Sequence, residues 1–225
     1  VEHKYVWDGK IVDGVTSVLR VIGKPWLQVW AIKCATDHML TKIKPGCVYD
    51  LATLEEVAKT ARGESNRIRD KAAATGTLAH KWIEDHINGQ QPEIPQDPEV
   101  LNAVLAFKRW VDRVNPEFVQ SERKILSRKY CYGGTLDFEC KIDGKLYLGD
   151  IKTSSKISKD MFLQTSAYQM ARLEEEPELQ YAGQIIVNCR KDGKLDVQES
   201  QEYELNAKAF LAALILYRRV NEMNA

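Results

Sequence analysis

The sequence predicts an α/β protein in which a mainly helical first half packs on a sheet core whose elements run β-β-β-α-β. Helix caps and apolar residues at helical spacing dominate the chain as far as Val114, and short strand-like segments follow Pro116. Among those segments stands Asp143-Gly144, a strong signal for a two-residue hairpin turn. At 225 residues we expect one domain, with residues 1–115 mainly helical and residues 116–225 forming the sheet core.

A hairpin and four helices are predicted in the first half. They cover about residues 4–12 for the hairpin, and 16–23, 25–43, 53–88 and 100–114 for the helices. We expect the third helix to begin at a capping box, Thr53-Leu54-Glu55-Glu56, and Gly63 can interrupt it. In the second helix, Trp26, Trp30 and Ala31 are the expected core contacts.

Five strands and two helices are predicted in the second half. The strands cover residues 117–127, 130–142, 145–152, 181–189 and 194–200, and the helices about 160–173 and 206–222. Three strands, a helix and a further strand therefore give the expected order of the core.

Composition excludes several classes of protein. Thirty-two Lys and Arg balance thirty-two Asp and Glu, which excludes a globally basic nucleic-acid binder but leaves room for a local basic patch. The apolar run from Phe210 to Tyr217 is far below the ~20 residues needed to span a bilayer. No secretion signal follows Val1. We therefore expect no membrane partner and a cytoplasmic location.

Five cysteines are present, and none forms a CxxC pair. The spacings typical of zinc ribbons and iron–sulfur clusters are absent, and an odd count favours a reducing compartment. We expect these cysteines to be small core residues.

Two charged runs are expected to be solvated faces. Residues 121–130 carry a local charge of +3, and residues 174–178 carry −4.

Two aspartates are expected to face each other across the predicted hairpin. If Asp143-Gly144 forms a two-residue turn, Ile142 lies opposite Lys145, and the same register places Asp137 opposite Asp150. Opposite residues have Cβ atoms ~4.5–5.5 Å apart, and like charges there destabilise a sheet. Either one carboxyl keeps a proton or a divalent cation such as Mg²⁺ or Mn²⁺ compensates the two charges.

Lys152 adds an ammonium group to the same face of the strand, because it lies two residues beyond Asp150. Leu136, Leu146 and Leu148 flank the acids, so we expect this part of the sheet to be buried. The alternative is a salt-bridge ladder on the surface.

Three further side chains are candidates for the same site. His80 is predicted on a helix, with Gly76 and Glu84 one turn to either side on its face, although a helix histidine alone can equally be packed or solvated. Gln164 and Tyr168 share a face of the later helix. Both can hydrogen-bond, and a tyrosine can stack on a base or cover the core.

In combination these motifs resemble the PD-(D/E)XK nuclease superfamily, and more narrowly its RecB-type branch. The pattern there is an upstream histidine, then G-x-x-D, D-x-K-T-S and Q-x-x-x-Y, and this chain has all four in order over about residues 75–190. Phage exonucleases and the mitochondrial genome maintenance exonuclease share the pattern. Residues 15–19, Pro25 and Trp30-Ala31 also look like the phage members. The resemblance implies a restriction-endonuclease-like core with a mixed sheet.

The resemblance also implies a metal site. His80, Asp137 and Asp150 would ligate one or two Mg²⁺ or Mn²⁺ ions, and the main-chain carbonyl of Ile151 would be a fourth ligand. Lys152 would be the catalytic lysine. The iron–sulfur cluster of the CRISPR-associated relatives is not expected, because its four cysteines are missing.

Three other residues take their expected roles from the same resemblance. Glu122 occupies a strand position where family members often have an active-site glutamate. Gln164 and Tyr168 would touch DNA near the scissile phosphate or brace the loop that does.

The implied function is metal-dependent hydrolysis of DNA in recombination, repair or replication, in a bacterial or phage-infected cell. An exonuclease acting on DNA ends or single strands is favoured, with a recombination or helicase protein as a further partner. An endonuclease with the same site and a catalytically idle DNA-binding protein are the alternatives. Four cations would follow the phosphate backbone: Arg123, Lys124, Lys156 and Lys159.

Overall fold

The structure is a computed structural model that describes residues 5–223. Within this range the chain forms two compact units. One unit comprises residues 23–77, and the other comprises residues 5–22 together with 78–223. The sheet unit therefore includes residues 78–114 from the part of the sequence predicted to be mainly helical.

The sheet unit begins with the predicted hairpin. Strands β1 (Tyr5–Trp7) and β2 (Lys10–Gly14) pair antiparallel, with Trp7 opposite Lys10. Asp8 and Gly9 form the turn and have the positive φ angles, 49° and 73°, that such a tight connection requires. Helix α1 (Val15–Val18) and a 3₁₀ turn (Leu19–Val21) follow.

The smaller unit consists of helix α2 (Trp26–Lys42) and the first part of helix α3 (Leu51–Ile87). Helix α3 runs through Gly63 without a break. Its start is stabilised by Asp50, which accepts a hydrogen bond from the Thr53 amide at 2.7 Å, so the expected capping box at Thr53 is wrong by three residues. Trp26 is 54% exposed, which contradicts its expected place in the core.

Helix α4 (Pro98–Val114) matches the helix predicted over residues 100–114 and begins two residues earlier. The Asp97 carboxylate accepts hydrogen bonds from the amides of Glu99 and Val100, at 2.8 and 3.2 Å. The helix ends at Asn115, whose φ of 44° lies in the left-handed region that terminates helices.

The predicted order β-β-β-α-β is confirmed. The core elements are β3 (Glu117–Ser127), β4 (Tyr132–Ile142), β5 (Lys145–Lys152), α5 (Asp160–Glu175) and β6 (Tyr181–Cys189). Strand β7 (Leu195–Ser200) and helix α6 (Tyr203–Met223) follow. Strands β3, β4 and β5 pair antiparallel, and α5 connects the parallel strands β5 and β6. The sheet is therefore mixed, with the order β1-β2-β4-β5-β6-β7 and β3 beside β4.

Helices cover both faces of this sheet, as in a three-layer α/β fold. On one face, α4 and the end of α3 bury Phe107, Trp110 and Ile83 against the sheet residues Phe138 and Ile151. On the other face, α1, α5 and α6 bury residues such as Ala167 and Phe210 against Leu136 and Leu148. The candidate site lies in the strands between these two cores.

The two charged runs bind each other and are not independent solvated faces. Arg123 on β3 donates to Glu175 at 2.9 Å and lies 3.4 Å from Glu176. Ser127 donates to Glu174 at 2.6 Å. The opposite charges of β3 and the end of α5 therefore compensate each other.

No helix within residues 5–223 is long and apolar enough to cross a membrane. Cys34, Cys140 and Cys189 are buried as expected. Cys47 is exposed and Cys131 is half-buried, so these two are not core residues.

Candidate active site

The candidate site forms where β4 and β5 separate. Their pairing runs from Ile142–Lys145 to Phe138–Gly149, which is the register predicted from the hairpin turn. Regular pairing stops at Phe138–Gly149. If the same register continued, Asp137 and Asp150 would form the next pair. There the Asp137 carboxylate accepts a hydrogen bond from the Ile151 amide at 2.6 Å. A side chain thus replaces the backbone partner, and both acids lie at the opening between the strands.

Two glycines of the motifs leave room for aromatic rings. A Cβ atom on Gly149 would lie 2.0 Å from Cζ of Phe138, the residue opposite it on β4. A Cβ atom on Gly134 would lie 2.4 Å from Cε1 of Tyr168 on α5. Both distances are far shorter than atoms tolerate, so these positions require glycine for packing. The ring of Tyr168 therefore lies directly on β4.

Lys152 and Gln164 surround the buried acid Asp150. The Lys152 Nζ atom lies 2.5 Å from Oδ2 of Asp150, whose side chain is fully buried. Gln164 donates from Nε2 to Oδ1 of Asp150 at 3.2 Å and to the Tyr168 hydroxyl at 2.9 Å. Its Oε1 atom accepts from Lys152 at 3.4 Å. The glutamine amide therefore holds the carboxylate and the ammonium group in one network.

His80 reaches the same opening from α3. Its Nδ1 atom lies 3.8 Å from Oδ2 of Asp137, and the backbone of Ile151 is a near neighbour of the imidazole. Loss of hydration, together with the nearby positive charge of Lys152, lowers the pKa of His80 to about 4. Its side chain is 32% exposed. The imidazole is neutral at pH 7, which is the form that binds metals.

Burial dominates the titration of the two acids. It raises the pKa of Asp137 and of Asp150, while Lys152 lowers both, and repulsion from Asp137 adds to the upward shift of Asp150. Burial lowers the pKa of Lys152, but attraction to Asp150 and Asp137 outweighs it and leaves the pKa raised. The ammonium group therefore keeps its proton at neutral pH.

Glu122 and Glu84 add further acids beside Asp137. Partial burial, followed by repulsion from Asp137 and Glu84, raises the pKa of Glu122 to about 7, although the residue as a whole is exposed. Glu122 has a φ of 48°, a left-handed conformation that costs energy for a residue with a side chain. Sequence reasoning left Glu84 out of the site, although its position one turn after His80 was the available signal.

The site offers several donor atoms to the Mg²⁺ or Mn²⁺ that the motifs imply. Carboxylates, an imidazole and a main-chain carbonyl are suitable donors for these ions. Asp150 Oδ2 is fully buried, and the group in contact with it is the Lys152 ammonium at 2.5 Å. Within residues 5–223, no three His, Cys, Asp or Glu side chains are grouped closely enough to hold a metal ion. The donor atoms are of the chemical type that these ions bind. In this structure Asp150 forms an ion pair with Lys152 instead.

The structure brings the predicted residues together in two groups. His80 lies beside Asp137, which accepts from the Ile151 amide, and Asp150 contacts Lys152 and Gln164. Tyr168 is only 3% exposed, so its ring packs in the core and offers no free face to a base. Arg123 is engaged with Gln120, Glu175 and Glu176, so it is not available to follow a phosphate backbone as expected.

Several solved structures are similar in fold. The alkaline exonuclease LHK-Exo from Laribacter hongkongensis aligns with a TM-score of 0.33 and 16% identity, over 65% of this chain and 85% of its own. LHK-Exo in complex with dAMP aligns with a TM-score of 0.37 and 13% identity, over 94% of each chain. A candidate exonuclease from Eubacterium rectale aligns with a TM-score of 0.40 and 11% identity, over 64% of this chain and 68% of its own. No protein-family model and no curated protein matches the chain.

Proposed function

We propose that this protein is a Mg²⁺- or Mn²⁺-dependent DNA nuclease. One observation carries the proposal: an imidazole, two carboxylates and a lysine from three separate elements meet where β4 and β5 diverge, and burial raises the pKa of both carboxyl groups. Two buried acids beside an ammonium group are costly for folding alone, which favours a chemical role. The resemblance of the motifs to RecB-type nucleases supplies the reaction class.

His80, Asp137, Asp150 and the Ile151 carbonyl would hold the metal. A bound ion would lower the pKa of its water and stabilise negative charge on the scissile phosphate. The neutral state of His80 leaves a ring nitrogen available as a ligand. Asp137 also accepts a hydrogen bond from the Ile151 amide, which holds the peptide between Asp150 and Ile151 in place beside the site.

Lys152 is the proposed catalytic lysine. Its protonated amine would orient the attacking water or neutralise charge that develops on the phosphate. Gln164 contacts both Lys152 and Asp150 and would keep the amine in place. The Tyr168 hydroxyl group accepts a hydrogen bond from Gln164 and so helps to hold the glutamine in place. Glu122 lies at the rim, where a raised pKa suits a group that exchanges protons near pH 7.

The proposed substrate is DNA with free ends or single strands, as for the exonucleases of the resembling branch. A role in recombination, repair or replication, with a helicase or recombination partner, follows from the same resemblance. Three exposed cations are proposed to contact the phosphate backbone: Lys124, Lys156 and Lys159.

Incubation of linear and circular DNA with Mg²⁺ and with Mn²⁺ tests the proposal, with Asp150→Asn as the inactive control. Degradation of linear DNA alone would establish an exonuclease, and cleavage of both forms would establish an endonuclease. If the wild-type protein cuts neither form with either metal, the proposed function is wrong and an idle DNA-binding protein is the better description.

A further inference from the structure

The balanced charge of the chain is divided unevenly between its two units. Residues 23–77 contain nine Lys and Arg against six Asp and Glu, a net charge of +3. The remaining residues contain 23 Lys and Arg against 26 Asp and Glu, a net charge of −3. A polyanion such as DNA is therefore repelled by the net charge of the sheet unit and attracted by the net charge of the smaller unit.

Within the smaller unit, three cations form a stripe along α3. Lys59, Arg62 and Arg69 are spaced three and seven residues apart, so they share one side of the helix, with Asn66 between them. All four side chains are exposed. We call these four residues the α3 stripe. From Lys59 to Arg69 the stripe spans about 15 Å, a length over which one strand of B-form DNA carries about four phosphates at ~3.4 Å each.

The cations of the α3 stripe are weakly paired. Lys59 lies 3.8 Å from Glu56 and Arg69 lies 3.7 Å from Asp70, and their side chains are 79% and 69% exposed. Exposed pairs of this length contribute little. Arg62 has no ion pair or hydrogen bond with the side chains of residues 5–223. The three charges are therefore available to an external anion.

The opposite side of α3 explains why the stripe faces outward. Thr60 and Glu64 are one turn apart on that side, and His38 of α2 contacts both, at 3.2 and 3.7 Å. Arg62 lies 200° around the helix from Thr60, at 100° per residue. Packing between α2 and α3 thus directs the α3 stripe to solvent.

We propose that the α3 stripe is a binding surface for the phosphate backbone of a nucleic-acid strand, the substrate strand of the proposed nuclease. The inference rests on the proposed function for the identity of the polyanion. It assigns to residues 23–77 a large share of the electrostatic attraction for the substrate, because the net charge of the sheet unit is −3. Backbone contacts of this kind carry no sequence information, so binding through the stripe is independent of base sequence.

The salt dependence of binding tests the proposal. Affinity of the full chain for a fluorescent single-stranded oligothymidylate is measured by anisotropy at several salt concentrations, in Ca²⁺ to suppress cleavage. The test variant carries Lys59→Gln, Arg62→Gln and Arg69→Gln. Each lost phosphate contact reduces the slope of log K against log salt by ~0.7, so the triple variant should lose about 2 from the slope.

A matched control removes three exposed charges from the sheet unit: Lys145→Gln, Lys208→Gln and Arg219→Gln. The control should keep the wild-type slope. Equal losses in both triple variants, or no loss in the test variant, would overturn the proposal. Exposed apolar residues on α2, such as Val29 and Ile32, make an anionic membrane the rival partner. Stripe-dependent sedimentation with phosphatidylserine vesicles, without an effect on oligothymidylate binding, would therefore also overturn it.

The result is separable from the proposed function. Cleavage of linear and circular DNA in Mg²⁺ is followed on the same wild-type protein. If the protein binds DNA through the α3 stripe but cuts none, the proposed nuclease activity is wrong and the proposed binding surface is supported. If the wild-type protein cuts DNA and the stripe variant has an unchanged slope of log K against log salt, the nuclease activity is supported and the proposed binding surface is wrong.

Discussion

Removal of Arg172 should destabilise this protein more than removal of its buried partner Glu139. Arg172 on α5 donates from Nε to Oε1 of Glu139 on β4 at 3.0 Å, and both side chains are 2% exposed. Glu139 also accepts hydrogen bonds from Tyr181 and Gln120. Those two donors are neutral, so Arg172 supplies the only positive charge in contact with this carboxylate within residues 5–223.

Substitution of Arg172 and substitution of Glu139 should lower the free energy of unfolding by different amounts. Arg172→Met leaves a buried carboxylate without a countercharge, and breaking a buried pair in this way costs about 3–5 kcal/mol. Glu139→Gln leaves Arg172 with Glu175 and Glu176, at 3.2 and 2.9 Å. That variant loses mainly one charge-assisted hydrogen bond, or about 1.5–3 kcal/mol. A difference of about 2 kcal/mol corresponds to roughly 4–8 °C in Tm for a chain of this size.

Urea denaturation of both single variants and of the double variant Glu139→Gln/Arg172→Met measures the asymmetry. The double variant should lose less stability than the two single losses added together, because neither charge is then left alone. The slope of free energy against urea should stay constant, so that midpoints report stability. A Glu139→Gln variant that is as unstable as Arg172→Met would refute the reasoning.

Four further substitutions test the site. Asp150→Asn should abolish DNA cleavage in Mg²⁺ without changing the circular-dichroism spectrum, and normal cleavage would contradict its assignment as a ligand. Lys152→Ala should keep Mn²⁺ affinity in isothermal titration yet lose turnover, whereas a large loss of affinity would show that the role is misassigned. His80→Ala should weaken metal binding and shift activity from Mn²⁺ towards Mg²⁺, because Mg²⁺ prefers oxygen ligands, and overlapping activity curves would leave His80 a packing role. Gly134→Ala should cost roughly 1–3 kcal/mol, because its Cβ would lie 2.4 Å from the Tyr168 ring; an unchanged Tm would disprove this contact.

Local signals predicted the elements of the second half because each boundary there depends on neighbouring residues. The Asp143-Gly144 turn has φ angles of 50° and 74°, and it sets the register that places Asp137 and Asp150 next to the last regular pair of β4 and β5. The predicted and observed strands 117–127, 145–152 and 181–189 coincide. Lys152 joins Asp150 because a strand repeats every two residues.

Signals in the first half were less reliable, because helix propensity is a weak guide to where a helix starts or breaks. Gly63 costs only about 1 kcal/mol in a helix interior, and α3 continues through it. Asp50 and Thr53 are both good caps, and the sequence offers no means to choose between them. Trp26 is apolar and yet exposed, since burial depends on which surfaces lie opposite it.

The sequence by itself determined which residues carry the chemistry and how β4 faces β5, because turn geometry and strand period act over a few residues. Only the tertiary structure decided that His80 meets Asp137, that Arg123 is engaged by Glu175, and that Tyr168 packs on Gly134. Those contacts join residues 34 to 57 positions apart in the chain. No local pattern specifies such a pair, since it depends on how helices dock on both faces of the sheet.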